Sequence, residues 1–151
     1  MSLEIRDATA ADAAALVPLI AEMGAGFDRP SRADAALVSR YLGQPGCGIL
    51  LAILDGEPVG FLAHATTLDL YMGAPIGEIV DLLVTAQVRG RGIGSALVAE
   101  AVRRFDEAGC CEVRVVTDAD NEAAIRVYSK AGIGGDLICL HRHGACVTHD
   151  G

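Results

Sequence analysis

The sequence predicts a single α/β domain, and three observations carry that prediction. An apolar, β-branched run over residues 78–84 leads into an arginine- and glycine-rich loop, and a helix-periodic segment follows directly. Two apolar runs, 49–54 and 59–67, flank the turn Asp55-Gly56-Glu57-Pro58, which pairs them as an antiparallel hairpin. Segments with apolar residues three and four apart alternate with these strand-like runs. At 151 residues, 52% hydrophobic and 21% charged, the chain is long enough to enclose one core and too apolar to be disordered.

The elements follow in order. Residues 3–6 alternate apolar and charged, as a short first strand does. Thr9 or Asp12 can cap a helix that carries Leu16, Leu19, Ile20 and Met23 on one side and stops near Gly24 and Gly26. Pro18 falls inside that pattern, in a first turn or at a bend. A second helix starts after Ser31, with Leu37, Val38, Tyr41 and Leu42 as its apolar side and Gly43 and Pro45 at its end. The run 49–54 is apolar without alternation, as in a strand buried on both faces. His64 lies between two alanines on the returning strand, and its expected role is structural. Residues 68–77, with Gly73 and Pro75, read as a loop whose Tyr71 and Met72 either line a pocket or cover the core.

After the glycine loop, Ile93, Leu97, Val98, Ala101, Val102 and Phe105 form the buried stripe of a helix that Gly109 closes. Residues 112–117 alternate charge and valine, as a half-covered strand does. Asn121, Ala124, Ile125 and Tyr128 then share roughly one side of another helix. Residues 136–141 are the one convincing strand beyond it. The domain is placed at 1–143, with a loose polar tail at 144–151.

Charge and composition exclude several functions. A net charge of −8 gives nucleic-acid binding no electrostatic support and suits a cationic amine. There is no apolar run of membrane-spanning length, and the start Met-Ser-Leu-Glu-Ile-Arg-Asp lacks the features of a signal peptide. The five cysteines are odd in number and lack metal-ligand spacing, so they read as reduced thiols of a cytoplasmic protein with no metal. The adjacent Cys110 and Cys111 are assigned to packing where a helix meets a strand.

The loop carries the chemistry. Arg89, Gly90, Arg91, Gly92, Ile93, Gly94 and Ser95 combine two guanidinium groups with glycines that let backbone amides converge. The helix behind them adds free N–H groups and the positive end of its dipole. That is an anion site, best suited to a phosphate or pyrophosphate. It lacks the Gly-Lys-Ser/Thr of a P-loop, and Gly-x-Gly-x-x-Gly does not fit from either starting glycine. Arg-x-x-Gly-x-Gly does fit, as Arg89, Gly92 and Gly94.

That pattern after an apolar strand resembles the acyl-coenzyme A loop of the GNAT superfamily of N-acetyltransferases. A second motif sharpens the resemblance. Asn121, Ala124, Tyr128 and Gly132 match Asn-x-x-Ala-h-x-h-Tyr-x-x-x-Gly-Phe (h apolar), with Ile133 in place of the usual Phe. The resemblance covers residues 3–140 and implies a mixed, mostly antiparallel sheet with helices on both faces, splayed at the strand ending near Val84.

It implies acetyl transfer from acetyl-CoA to a primary amine by direct attack in a ternary complex. Freed backbone groups at Leu82, Leu83 and Val84 would pair with the pantetheine arm, and the Val84 N–H would polarise the thioester carbonyl. Residues 89–95 would hold the pyrophosphate, and Asn121 would bond the pantetheine. Tyr128 would serve as general acid. For the base, Glu78 comes first, then Asp81, then an ordered water. Glu78 and Asp81 have opposite strand parity, so they point to opposite faces unless a bulge resets the alternation.

The acceptor is a small-molecule or peptide amine of unspecified identity. With a single strand after Ile133, the sheet either ends short or is completed by a partner chain in a homodimer. Two other functions compete: a non-catalytic acyl-CoA-binding sensor, which would tolerate loss of Tyr128 or of a strand carboxylate, and an unrelated phosphate- or nucleotide-binding module, which would need the missing lysine.

Overall fold

A computed structural model describes residues 2–135 and 137–144. Their elements run β1 (Leu3–Asp7), α1 (Ala13–Gly26), α2 (Ala35–Leu42), β2 (Cys47–Leu54), β3 (Glu57–Asp69), β4 (Ala74–Val84), α3 (Ile93–Glu107), β5 (Glu112–Val115) and α4 (Glu122–Lys130). The strands form one sheet in sequence order, antiparallel throughout except for the parallel pair β4 and β5. A parallel neighbour needs a crossover, and α3 supplies it across one face.

Each face of the sheet has its own core. Ile49, Leu51, Phe61, Ala63 and Leu83 pack with Leu16 and Leu19 of α1 and Val38 of α2. On the other face Leu50, Ala52, Leu62 and Ile79 pack with Ile93, Leu97, Val98, Ala101 and Phe105 of α3 and with Tyr128 of α4. Successive residues of β2 thus enter opposite cores, which is why its sequence is apolar without alternation. The α3 stripe is the one its spacing predicts, with Val102 packed at its margin.

Several boundaries differ from the sequence expectation for local reasons. Helix α2 begins at Ala35, because Asp34 caps it, its carboxylate accepting from the Leu37 N–H at 2.8 Å. Pro18 lies inside α1 beyond the first turn. The segment 68–77 is largely strand, because β3 and β4 pair as far as Asp69 with Ala74; Tyr71 and Met72 occupy the exposed turn between them and do not cover the core. Residues 137–144 form no strand, contrary to the assignment of 136–141, and Leu137, Ile138 and Leu140 are exposed. Asp136 and most of the assigned tail, 145–151, lie outside the described residues.

The feature that positions the site is a break in β4. Ala63 of β3 pairs with Asp81, but its neighbour His64 pairs with Ile79, so Val80 is an extra, unpaired residue. The parallel pairing to β5 also stops there, at Ile79 with Val115. Residues 80–84 keep β3 on one side and, among the described residues, have no strand partner on the other.

Candidate active site

The bulge resets the side-chain alternation. Ile79 and Leu82, three apart, both pack toward α3, whereas an unbroken strand would send them to opposite faces. Glu78 and Asp81 pair with Ala65 and Ala63, two apart on β3, and therefore share the α1 and α2 face. Two registered residues on one face are about 7 Å apart along the strand. The Tyr41 hydroxyl of α2, which donates to the His64 carbonyl at 2.8 Å, feels both carboxylates; burial first, and then these and other nearby groups, raise its pKa.

Where β4 and β5 part, a cleft of about 230 Å³ runs through the sheet. Met23 of α1 and Phe27 just past its end line one side, Asn121, Ala124 and Tyr128 the other, and Val80, Asp81, Leu82 and residues 115–118 lie between. Asp81 is open to solvent on one side and walled by protein on the rest, and this desolvation raises its pKa. Tyr128 is 7% exposed; burial raises its phenol and the Asp81 charge adds to the effect, so it stays protonated at neutral pH.

Donor groups line the strand end beyond the cleft. Gly90 and Gly92 have φ of 78° and 81°, the left-handed region that a Cβ penalises. Gly92 caps α3, whose first helical bond runs from the Ala96 N–H to the Gly92 carbonyl at 3.0 Å. Among the described residues, the amides of Gly90 and of residues 92–95 have no backbone acceptor. Five such amides with the guanidinium groups of Arg89 and Arg91 fit a pyrophosphate, and the side of residues 80–84 away from β3 fits an extended amide-bearing arm.

The sequence-derived site residues thus fall into groups. Leu82, Asn121 and Tyr128 line the cleft. Leu83 buries its side chain in the α1-side core and pairs with Phe61 of β3. Val84 continues the strand to the loop, and its carbonyl accepts from Arg89 Nε at 2.8 Å. Asn121 also caps α4, its Oδ1 accepting from the Ala124 N–H at 3.2 Å, which leaves its Nδ2 donors for another partner. Glu78 is exposed on the Asp81 face but outside the cleft lining.

Sequence reasoning missed Glu22, Tyr41 and Val80. Glu22 accepts from the Thr85 hydroxyl at 2.8 Å and from the Ala86 N–H at 2.9 Å. No spacing signal links residues more than sixty positions apart. Val80 could have been suspected only through the bulge itself.

A second concavity, of about 300 Å³, lies between the edge of β2 and β3 and the C-terminal half of α3. It is larger than the cleft but has no loop amides or tyrosine hydroxyl. His64 lies beside it, packed edge-on to Phe105, with Nε2 buried and unpaired among the described residues and its pKa lowered by burial. The expected structural role of His64 agrees with this packing.

The described cysteines Cys47, Cys110, Cys111 and Cys139 are free thiols; Cys110 packs against the α3-side core and Cys111 is exposed. Among the described residues no group of His, Cys, Asp or Glu could hold a metal ion, and no helix is long and apolar enough to cross a membrane.

Comparison with known proteins gives the same outline. The chain is similar to the mycothiol acetyltransferases of Paenarthrobacter aurescens strain TC1, with 38% identity over 56% of this chain and 27% of that protein, and of Sanguibacter keddieii, with 40% over 55% and 27%. It spans about a quarter of the length of these relatives. The fold matches the ribosomal-protein-alanine N-acetyltransferase of Brucella melitensis biovar Abortus 2308, with a TM-score of 0.82, 22% identity and coverage of 95% of this chain and 100% of that one. It also matches the aminoglycoside acetyltransferase HMB0005 from a soil metagenome, with a TM-score of 0.82, 26% identity and coverage of 96% and 100%. Residues 18–133 match the model of the acetyltransferase (GNAT) family. With that match spanning the through-sheet cleft and the amide-lined loop, the chain belongs to the GNAT family of acetyltransferases.

Proposed function

We propose that this protein transfers an acetyl group from acetyl-CoA to a primary amine, with both substrates bound together in the cleft. The observation that carries the proposal is the bulge at Val80, which turns Asp81 into the same cleft as Tyr128 at the unpaired end of β4. Acetyl-CoA supplies the activated acetyl thioester. The amides of residues 90–95 with Arg89 and Arg91 hold its pyrophosphate; residues 82–84 and the Asn121 amide hold the pantetheine. The Val84 N–H donates to the thioester carbonyl as negative charge develops there.

An ammonium must lose a proton before its nitrogen can attack. Asp81 takes it: its desolvated carboxylate has the raised affinity for a proton that the step requires. Glu78, one registered position further on the same face, is the second candidate, with water relay the third. Tyr128 holds a proton at the other wall of the cleft and donates it to the departing thiolate sulfur.

The acceptor is a small-molecule or peptide amine. Relatives named for mycothiol, aminoglycosides and ribosomal-protein alanine set the first panel to test. Thiol release from acetyl-CoA with that panel tests the proposal. Asp81→Asn is expected to lower kcat/KM by about a hundredfold or more and Tyr128→Phe by about tenfold or more, with Glu78→Gln milder than Asp81→Asn. Dominance of Glu78→Gln would move the base to Glu78. Tight acetyl-CoA binding without turnover on any amine would favour the sensor reading.

A further inference from the structure

We infer that Glu22 of α1 is a positioning residue for the donor loop: its carboxylate fixes the turn leaving β4 so that residues 90–95 are set in place before acetyl-CoA binds. This rests on the assignment of residues 89–95 to the donor phosphates. The Ala86 N–H donates to Glu22 Oε1 at 2.9 Å, and the Thr85 hydroxyl lies 2.8 Å from Oε2. Thr85 has one hydroxyl proton and a second neighbour, the Gln87 side-chain amide, at 2.8 Å. The carboxylate is the stronger acceptor, so it takes the proton in preference to Gln87 Oε1. Arg89 Nη2 stands 3.9 Å from Glu22 Oε1, while Arg89 Nε donates to the Val84 carbonyl.

The turn over residues 85–89 has few other ties among the described residues. Ala86, Gln87 and residues 89–92 are exposed. Its other backbone bonds are Thr85 N–H to Val59 at 2.8 Å and two local bonds within the turn, at 3.2 and 3.5 Å. A tether at the start of a glycine loop removes freedom that the ligand would otherwise have to quench on binding.

A carboxylate beside a phosphate site would repel the phosphate if its charge were free. Here two hydrogen-bond donors point at its oxygens and the Arg89 guanidinium offsets part of its charge. Met23, next along α1, and Phe27, just past its end, line the cleft. The helix that sets the loop therefore also walls the acceptor side, and donor and acceptor positions share one reference.

Calorimetric titration of acetyl-CoA into wild type, Glu22→Ala, Glu22→Gln and Thr85→Val tests the inference, together with amide hydrogen exchange. Glu22→Ala should bind about tenfold more weakly, with faster exchange at residues 85–89 and unchanged exchange in β2 and β3. Glu22→Gln keeps one acceptor oxygen for Ala86 and should recover part of the affinity. Thr85→Val should lose less than Glu22→Ala, and its effect should shrink in the Glu22→Ala background. A Glu22→Ala protein that binds as tightly as wild type would overturn the inference alone. If Glu22→Ala does not fold, wild-type affinity in both Glu22→Gln and Thr85→Val would overturn it as well. Wild type that binds no acetyl-CoA would overturn the donor assignment and this inference with it.

Discussion

At the scale of single residues, Asp81 combines a stability cost with its proposed chemical use. Its carboxyl pKa is raised from 3.8 by desolvation, so the folded state holds the proton more tightly than the unfolded one. Stability therefore falls as pH rises through and above 3.8, and at neutral pH the ionised group sits in an unfavourable place. Asp81→Asn is expected to raise the midpoint of thermal unfolding at pH 7 while lowering turnover, a separation that calorimetry and thiol release measure together. Gly92 is the opposite case, chosen by backbone alone. Its φ of 81° would cost a residue with a Cβ about 1–2 kcal/mol, so Gly92→Ala should lower stability by that amount in chemical denaturation. Gly77 is set by space: a Cβ there would lie 2.5 Å from the Phe105 ring. Gly77→Ala should therefore cost about 1–3 kcal/mol through displacement of α3.

At the scale of elements, β4 holds the decisive irregularity. Deleting Val80 would restore regular pairing with β3, Ile79 with His64 followed directly by Asp81 with Ala63, and would remove the local bend at which β4 leaves β5. The deletion is expected to retain strand content by circular dichroism but to lower kcat/KM by about tenfold or more, because the bend that opens the proposed cleft between β4 and β5 is removed. Hydrophobic pattern located α3 well, since the whole Ile93-to-Phe105 stripe is buried or packed at the core margin. It located α2 less well: a capping aspartate and a serine three residues upstream are equally good local signals. The strands β3 and β4 were read too short, because Leu68, Pro75 and Ala74 join a ladder whose support comes from the partner strand and not from their own propensity.

At the scale of the whole molecule, His64 ties global stability to pH. Burial lowers its pKa from 6.5, so below that value the unfolded chain takes up a proton that the folded chain refuses. Its contribution is intact above 6.5 and is lost as pH falls from 6.5 toward the lowered folded value. Denaturant titrations at pH 7.5 and 5.5 should show this loss in wild type and a smaller one in His64→Leu, whose side chain has no titrating proton.

The same scale separates what local sequence can express from what it cannot. Two motifs, the loop at 89–95 and the helix at 121–133, identified the family and most of the candidate site, because an amide-lined anion loop and a helix-borne tyrosine are written in contiguous residues. So were the two-faced burial of β2 and the stripe of α3. Tertiary structure alone decided that Glu78 and Asp81 share a face, since the bulge depends on how β3 registers against β4. It alone brought Glu22 to Thr85 and Ala86, through the packing of α1 on the sheet. It also left residues 137–144 without a strand despite their apolar content. Backbone propensity and side-chain period act over a few residues, whereas register, face and contact between distant elements are set by which surfaces bury one another.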